Sequence, residues 1–164
     1  MKEYLPNSRE CYVCGVENNH GLKMRFYKTG PKSIACDHLI QEKFQGYHGV
    51  VHGGIVSSML DEMCVRAFMA EDPNRLMYTA RLTVRFRKPV PVGEKLHLEG
   101  DVIKSKTRSG EAHARVYGPD GSLYAEAEAL AVDFQTDLLE GEDIEELGWK
   151  VYGDEFFLDK EVEA

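Results

Sequence analysis

The chain has 164 residues, of which 43% are hydrophobic and 29% charged, and its formal net charge is −8. This length and composition are typical of one soluble globular domain with a sizeable core. No apolar run approaches the roughly 20 residues that a membrane-spanning helix needs, and the first residues lack a signal-peptide pattern. We therefore expect a cytoplasmic protein without a membrane partner.

The negative charge lies in the last part of the chain. From Asp137 onward there are 11 acidic residues against two lysines, whereas residues 1–136 are nearly neutral. We predict a folded domain over residues 1–136 and an acidic C-terminal extension over residues 137–164, which aromatic residues such as Trp149 could partly order. Nucleic-acid binding is not expected, because the folded domain has no overall basic character.

The first motif is a C-x-x-C formed by Cys11 and Cys14. A zinc site needs four ligands, and neither a second C-x-x-C nor paired histidines follow it; a redox dithiol would precede a βαβ pattern. We therefore expect no metal and no cofactor, and we interpret Cys11 and Cys14 as a turn packed on the domain. Cys64, beside apolar helix positions, is interpreted as a small core residue.

A hairpin is predicted after this turn. Leu22, Met24 and Phe26 alternate with polar residues, which is typical of a strand with one buried face. Residues 29–31, Thr-Gly-Pro, predict a turn, and residues 33–41 return as the second strand.

A long helix is predicted over residues 54–69, ending before Pro73. His52, Gly53 and Gly54 open it, and Asp61 lies two turns inside an otherwise apolar pattern. The first N–H groups of a helix lack partners, and glycines let another group approach them, which suits a carbonyl oxygen that becomes an oxyanion. Asp61 would then be the acid, base or nucleophile. Alternatively, the glycines allow close packing and Asp61 faces water.

Four further strands follow at regular spacing and short turns join them. Their predicted ranges are 77–88, 95–105, 111–117 and 122–134. Short turns between consecutive strands favour an antiparallel sheet, so we predict an α+β fold of about six strands with one long helix on one face. One helix cannot cover every edge of such a sheet, so we expect edge-to-edge pairing into a homodimer, which could assemble further into a dimer of dimers.

The stretches HGVVHGGIVSSMLDE and TARLTVRFRKPVPVGEKL together resemble the hotdog-fold acyl-CoA thioesterases of the phenylacetate-pathway and thioesterase-superfamily type. In that family a bent antiparallel sheet wraps a central helix, an HGG turn opens the helix, and a carboxylate lies nine residues after the histidine, as Asp61 does here. The segment CYVCGVENNHGLKMRFY is similar to the start of one subfamily. The resemblance covers residues 11–134.

The resemblance implies specific roles for residues of this chain. Asp61 would be the nucleophile or the base that activates water, and Gly53 and Gly54 would supply the N–H that polarises the carbonyl. His52 would orient the turn and could contact the substrate carbonyl. Thr79 matches a polar residue that positions the water or the acid in some members. Some members also carry an asparagine six residues before the histidine, where this chain has Gly46; Gln45 is adjacent to that position and His48 is nearby.

Helix geometry adds a constraint on the site. Gly53 and Asp61 are eight residues apart, or about 12 Å along a helix, so one carbonyl carbon cannot contact both when they belong to the same helix. Two helices related by a two-fold axis and running in opposite directions can bring the start of one beside the middle of the other. We therefore expect a site shared between the protomers.

The expected substrate is an acyl-CoA, with Met59 and Phe68 in the acyl pocket. Basic residues at the cleft mouth would bind the phosphates of coenzyme A, and two clusters are candidates. They are Arg85, Arg87 and Lys88, and Lys104, Lys106 and Arg108. A hotdog hydratase or dehydratase, or a non-catalytic acyl-CoA-binding module, is the alternative function.

Overall fold

The structure, a computed structural model, describes residues 1–134 and 146–157. In chain order its main elements are β1 (Tyr27–Gly30), β2 (Ser33–Leu39), α1 (Gly53–Ala67), β3 (Met77–Phe86), β4 (Lys95–Ser105), β5 (Ser109–Tyr117) and β6 (Leu123–Asp133). The strands form one antiparallel sheet in the order β1-β2-β4-β5-β6-β3. The predicted α+β architecture, about six strands with one long helix, is confirmed. Within the two described ranges no helix has both the length and the apolar character that crossing a membrane requires.

Helix α1 lies close to the sheet because the facing strands carry small side chains. The buried inner face of β5 and β6 is lined by Ala112, Ala114, Ala125, Ala127, Ala129 and Ala131. Cys64 approaches this face so closely that its Sγ lies 3.9 Å from the carbonyl oxygen of Ala112. A Cβ at Gly100 of β4 would lie only 2.7 Å from the carbonyl oxygen of Met63. Burial raises the pKa of the Cys64 thiol to about 12, which agrees with its predicted place in the core.

The strand boundaries agree closely with the sequence pattern, except in the first hairpin. Leu22, Met24 and Phe26 are buried as the alternation predicts, but the strand β1 begins only at Tyr27. Lys23 has a φ of 53°, which interrupts an extended strand. The N–H groups of Leu22 and Met24 instead donate to carbonyl groups of the cysteine-containing turn. The predicted first strand was therefore too long.

The N-terminal segment is fastened by Asn7, a polar side chain that is only 1% exposed. Its Nδ2 donates to the carbonyl oxygens of Cys14 and Met24, each at 2.7 Å. Its backbone forms a β-bridge with Lys150. Residues 146–157 of the predicted acidic extension thus pack on the body of the protein, with Trp149 against the core. The remainder of that extension, residues 137–145 and 158–164, lies outside the described residues.

Candidate active site

Helix α1 begins at the predicted His-Gly-Gly turn. His52 is the N-cap residue, and its Nδ1 accepts a hydrogen bond from the N–H of Gly54 at 3.0 Å. The N–H groups of Ile55 and Val56 donate to the carbonyl oxygen of His52, at 2.9 and 3.1 Å. The N–H of Gly53 has no hydrogen-bond partner within the described parts of the chain. Gly53 therefore offers the donor that an external carbonyl oxygen could use.

The space around the two glycines differs. A Cβ at Gly54 would lie 3.1 Å from the Nδ1 of His52, so a side chain there would crowd the ring that accepts the capping bond. A Cβ at Gly53 would meet only the ring of Phe86, at 3.6 Å. The ring of Phe86, which is 53% exposed, thus borders the helix start. Phe86 was not among the predicted site residues; the available signal in the sequence was its place as the last apolar residue of the predicted strand.

Asp61 lies on α1, and its Oδ1 accepts a hydrogen bond from the hydroxyl of Thr79 on β3. Both side chains are half-buried. The register between β3 and β6 shifts between Thr79 and Arg81, so one extra residue, Ala80, is inserted in β3. Without that bulge, Thr79 would share the outer face with Arg81 and point away from α1. The bulge therefore brings a hydroxyl to Asp61.

The acid and the free donor are separated along one helix. Helix α1 contains both Gly53 and Asp61, so they are about 12 Å apart at 1.5 Å per residue. Strand β3 runs beside the helix in the opposite direction, with Phe86 at Gly53 and Thr79 at Asp61. Within one chain, the Asp61 carboxylate and the Gly53 N–H therefore lie at different points along the helix.

The loop before the helix contains the other polar candidates. The Oε1 of Gln45 accepts a hydrogen bond from the N–H of Gly49 at 3.2 Å, so this side chain stabilises the loop. His48 is exposed near the tip of the loop. A Cβ at Gly46 would lie 3.3 Å from the ring of His52, so an asparagine at that position would contact the histidine. Glycine supplies no such polar group.

The two residues predicted for the acyl pocket lie in the core. Met59 has no exposed surface, and Phe68 is 2% exposed. The ring of Phe68 packs against Gly110 and lies 5.3 Å from the guanidinium carbon of Arg75. Phe68 follows the last residue of α1, far from Gly53 and closer to Asp61. Their contact with an acyl chain stays a prediction.

The first basic cluster flanks Phe86, the residue whose ring borders the helix start: Arg85 precedes it in β3, and Arg87 and Lys88 follow the strand. Arg87 forms an ion pair with Glu126 at 2.7 Å, and this hydrogen bond lowers the pKa of the Glu126 carboxyl. Lys88 donates to the hydroxyl of Ser122 at 2.8 Å. Arg85 is exposed and has no ion pair among residues 1–134 and 146–157. Its charge is therefore available to a phosphate.

The second basic cluster lies at the opposite end of the helix. Lys104, Lys106 and Arg108 are all exposed in and beside the β4–β5 turn. Arg75, which follows the helix, donates to the hydroxyl of Ser105 and to the carbonyl oxygen of Lys106, each at 2.6 Å. The two clusters therefore flank different ends of α1 within one chain.

Comparisons with known proteins agree with this architecture. A family model for the thioesterase superfamily matches residues 48–125, which include the helix, Asp61 and Thr79. Acyl-coenzyme A thioesterase THEM4 of Rattus norvegicus is 26% identical over 138 residues, which are 83% of this chain. The match covers only 59% of the length of that relative.

Solved structures show the same fold. The thioesterase superfamily protein RHA08564 matches with a TM-score of 0.67 and 25% identity, covering 74% of this chain and 62% of that one. The protein smu.793 from Streptococcus mutans, whose structure was determined bound to acetyl CoA, matches with a TM-score of 0.62 and 14% identity. That match covers 68% of this chain and 88% of the other. Residues 48–125 thus match the thioesterase superfamily model, and the chain has the hotdog fold of these thioesterase structures.

Proposed function

We propose that the protein hydrolyses acyl-CoA thioesters to a free acid and coenzyme A. The observation that carries this proposal is that α1 holds both groups the reaction needs. Asp61 on this helix accepts a hydrogen bond from Thr79 of β3, and the first N–H of the helix, at Gly53, has no partner among the described residues. Thioester hydrolysis needs both parts, since a donor must stabilise the oxyanion and a carboxylate must supply the attack. The name of the THEM4 relative and the acetyl CoA bound to smu.793 support the choice of substrate class.

The chemistry has two versions that use the same groups. In both, the N–H of Gly53 donates to the thioester carbonyl oxygen, which becomes negatively charged when the carbonyl carbon is attacked. Asp61 either removes a proton from the attacking water or attacks the carbon itself and forms an anhydride that water then opens. The carbon–sulfur bond breaks, and coenzyme A leaves as the thiolate and takes up a proton. Thr79 holds the Asp61 carboxylate in one orientation.

The site proposed for this reaction takes Gly53 from one protomer and Asp61 from the other. Strand β3 supports this arrangement because it is an edge strand of the sheet, so its outer edge is open to a second chain. Tyr78 and Phe86, near its two ends, are 49% and 53% exposed. Pairing two β3 strands antiparallel about a two-fold axis would set the two α1 helices side by side in opposite directions. The start of one helix then approaches the middle of the other.

Thiol release tests the function. The full-length protein is expected to release free thiol from at least one class in a panel of aryl, short-chain and long-chain CoA esters. A hydratase would instead change the absorbance of an enoyl-CoA without releasing thiol. A non-catalytic binding module would bind the esters and release nothing. Either of these two results would contradict the proposed hydrolysis.

Arg85 is proposed to bind a phosphate of coenzyme A. Arg85→Ala is expected to raise KM for a CoA ester by about tenfold or more with little change in kcat, because a charge-assisted hydrogen bond contributes about 1.5–3 kcal/mol and holds substrate and transition state alike. An N-acetylcysteamine thioester lacks these phosphates, so its KM should not change.

Lys104→Ala is the matched control for this prediction, since Lys104 belongs to the cluster at the other end of α1. If Lys104→Ala raises KM for the CoA ester and Arg85→Ala does not, the phosphate site lies in the second cluster. An equal effect of Arg85→Ala on the truncated thioester would assign Arg85 another role.

A further inference from the structure

A group of side chains that the thioester site does not use lies on another face of α1. Sγ atoms of Cys11 and Cys14 and a carboxylate oxygen of Glu62 all lie within 4.8 Å of one another. Cys11 is partly exposed, Cys14 is 1% exposed, and the side chain of Glu62 is 15% exposed. Two elements distant in the sequence therefore bring three groups that can bind a metal ion to one point.

The N-terminal turn holds its two sulfur atoms in a fixed arrangement. The N–H of Val13 donates to the Sγ of Cys11 at 3.4 Å, and the N–H of Gly15 donates to the carbonyl oxygen of Cys11 at 2.8 Å. A Cβ at Gly15 would lie 2.4 Å from that oxygen, so only glycine allows the turn. An N–H that donates to sulfur favours the thiolate, which is the form that binds a metal.

Glu62 is oriented by Arg66, one helical turn further along α1. The Nε of Arg66 donates to Oε1 of Glu62 at 2.8 Å, and its second terminal nitrogen donates to the Sγ of Cys14 at 2.7 Å. Arg66 also donates to the carbonyl oxygen of Pro6 and lies 4.6 Å from the ring of Trp149. Hydrogen bonds of this kind to the ligands of a metal fix their direction and tune their affinity.

The charges of the group also fit a divalent cation. Arg66 is 3% exposed, and its positive charge is paired with the Glu62 carboxylate at 2.8 Å. If both thiols lose their protons, two negative charges remain with little access to water, which is unfavourable without a counterion. One divalent ion would neutralise the group. Arg66 can stay in place, because a thiolate that binds a metal still accepts hydrogen bonds.

We propose that Cys11, Cys14 and Glu62 bind one divalent metal ion of the kind that prefers thiolate ligands, with zinc as the best match. A tetrahedral zinc ion with Zn–S bonds of about 2.3 Å holds two sulfurs about 3.8 Å apart, so small movements of the observed side chains suffice. A cavity of about 150 Å³ adjoins the three groups, with Ser8 and Met77 also in its wall. It leaves room for a water molecule as the fourth ligand.

The expected role of this ion is to fasten the N-terminal turn to the central helix. Glu62 is the residue after Asp61, so the ion would also restrain the helix at the catalytic carboxylate. From the sequence no third ligand could be identified, because Glu62 lies far from Cys14 in the chain and only the fold brings the two together. The metal site is proposed independently of the thioesterase activity.

The reduced full-length protein is expected to bind one zinc ion per chain, measured by elemental analysis after dialysis. Cobalt(II) in place of zinc should give the intense thiolate-to-metal charge-transfer absorption and the visible bands of a tetrahedral site. Saturating zinc should also raise the melting temperature, since an ion that binds only the folded state stabilises it. These readouts do not depend on catalysis.

Variants separate this site from adventitious binding. Cys14→Ser should abolish the charge-transfer band, and Glu62→Gln, which keeps both thiols, should weaken the affinity for cobalt by at least about tenfold. Cys36→Ala is the matched control, because Cys36 is a buried cysteine of β2 outside the group, and it should bind cobalt like the parent.

The proposal fails if the reduced parent protein shows no thiolate charge transfer with cobalt, a result that needs no variant to fold. It also fails if Glu62→Gln binds the ion as tightly as the parent. Unchanged binding when Cys11 and Cys14 are both replaced by serine would place the ion elsewhere. If Cys14→Ser does not fold, the cobalt titration of Glu62→Gln and the cobalt spectrum of the parent protein still test the proposal.

Discussion

The Asp61→Asn variant is expected to fold normally and to lose between about 10²- and 10⁴-fold of its turnover, the usual contribution of a general base. Asparagine has the size of aspartate and keeps an oxygen that can accept the hydrogen bond from Thr79. It cannot attack a thioester or take a proton from water. The rate of thiol release at saturating substrate, together with the melting temperature, measures both parts of this expectation.

Glu71→Gln is the control for Asp61→Asn, because it removes an exposed carboxylate just beyond the helix. It should leave kcat and KM unchanged. If the Asp61→Asn variant retains hydrolysis within about threefold of the parent while folding normally, Asp61 is not the catalytic group, since a loss that small is below any general-base contribution. Asp61 would then have only a structural role, as the hydrogen-bond partner of Thr79.

The sequence pattern predicted the sheet well because most of each strand alternates between buried and exposed residues. In β4, Leu96, Leu98 and Gly100 are buried and the residues between them are partly exposed, so period-two alternation marks the strand over residues 95–101. The helix is equally clear, since Met59, Leu60 and Met63 are repeated at helical spacing and are all buried. Each of these patterns depends only on neighbouring residues in the chain.

The features that the sequence pattern placed wrongly depend on local backbone irregularities, which side-chain alternation does not reveal. The φ of 53° at Lys23 ends the predicted first strand, although the side chains on both sides of it are buried. The bulge at Ala80 turns Thr79 toward the helix, whereas unbroken alternation places Thr79 on the outer face. Thr79 was identified as a site residue only because the stretch around it resembles the hotdog-fold thioesterases.

Contacts between distant parts of the chain also could not be predicted from the sequence. Nothing in the spacing of Cys11 and Cys14 indicates that Glu62 and Arg66 would lie beside them. Likewise, the pattern predicted that the helix start supplies donors, but the capping bond from Gly54 to His52 distinguishes the two glycines. This distinction leaves Gly53 as the better position at which to disturb oxyanion binding.

The Gly53→Val variant is therefore expected to lose about 10²–10³-fold of turnover, as is typical when one oxyanion donor is lost. Its added carbons would lie in the space beside the free N–H, where the nearest contact of a Cβ is the Phe86 ring at an ordinary 3.6 Å. The fold should therefore persist. Unimpaired turnover in a folded Gly53→Val protein would leave the glycine a purely structural role.

Mixing Gly53→Val with Asp61→Asn under conditions that exchange subunits is expected to restore activity. If each site takes Gly53 from one protomer and Asp61 from its partner, one site of a mixed dimer carries both defects and the other carries none. Random exchange of equal amounts makes about half of the dimers mixed, so roughly a quarter of the parental activity should return, as two-fold symmetry requires. Each variant mixed with itself is the control and should stay inactive.

A site built within one chain predicts a different result for the same mixture. Every site would then carry one of the two defects, and no activity would return however complete the exchange. Exchange must be measured separately, for example by capturing one tagged variant and detecting the other with it. Confirmed exchange without recovered activity would show that Gly53 and Asp61 of the same chain serve one site. The separation of about 12 Å along one helix would then have to be bridged by a movement of the chain or by the substrate itself.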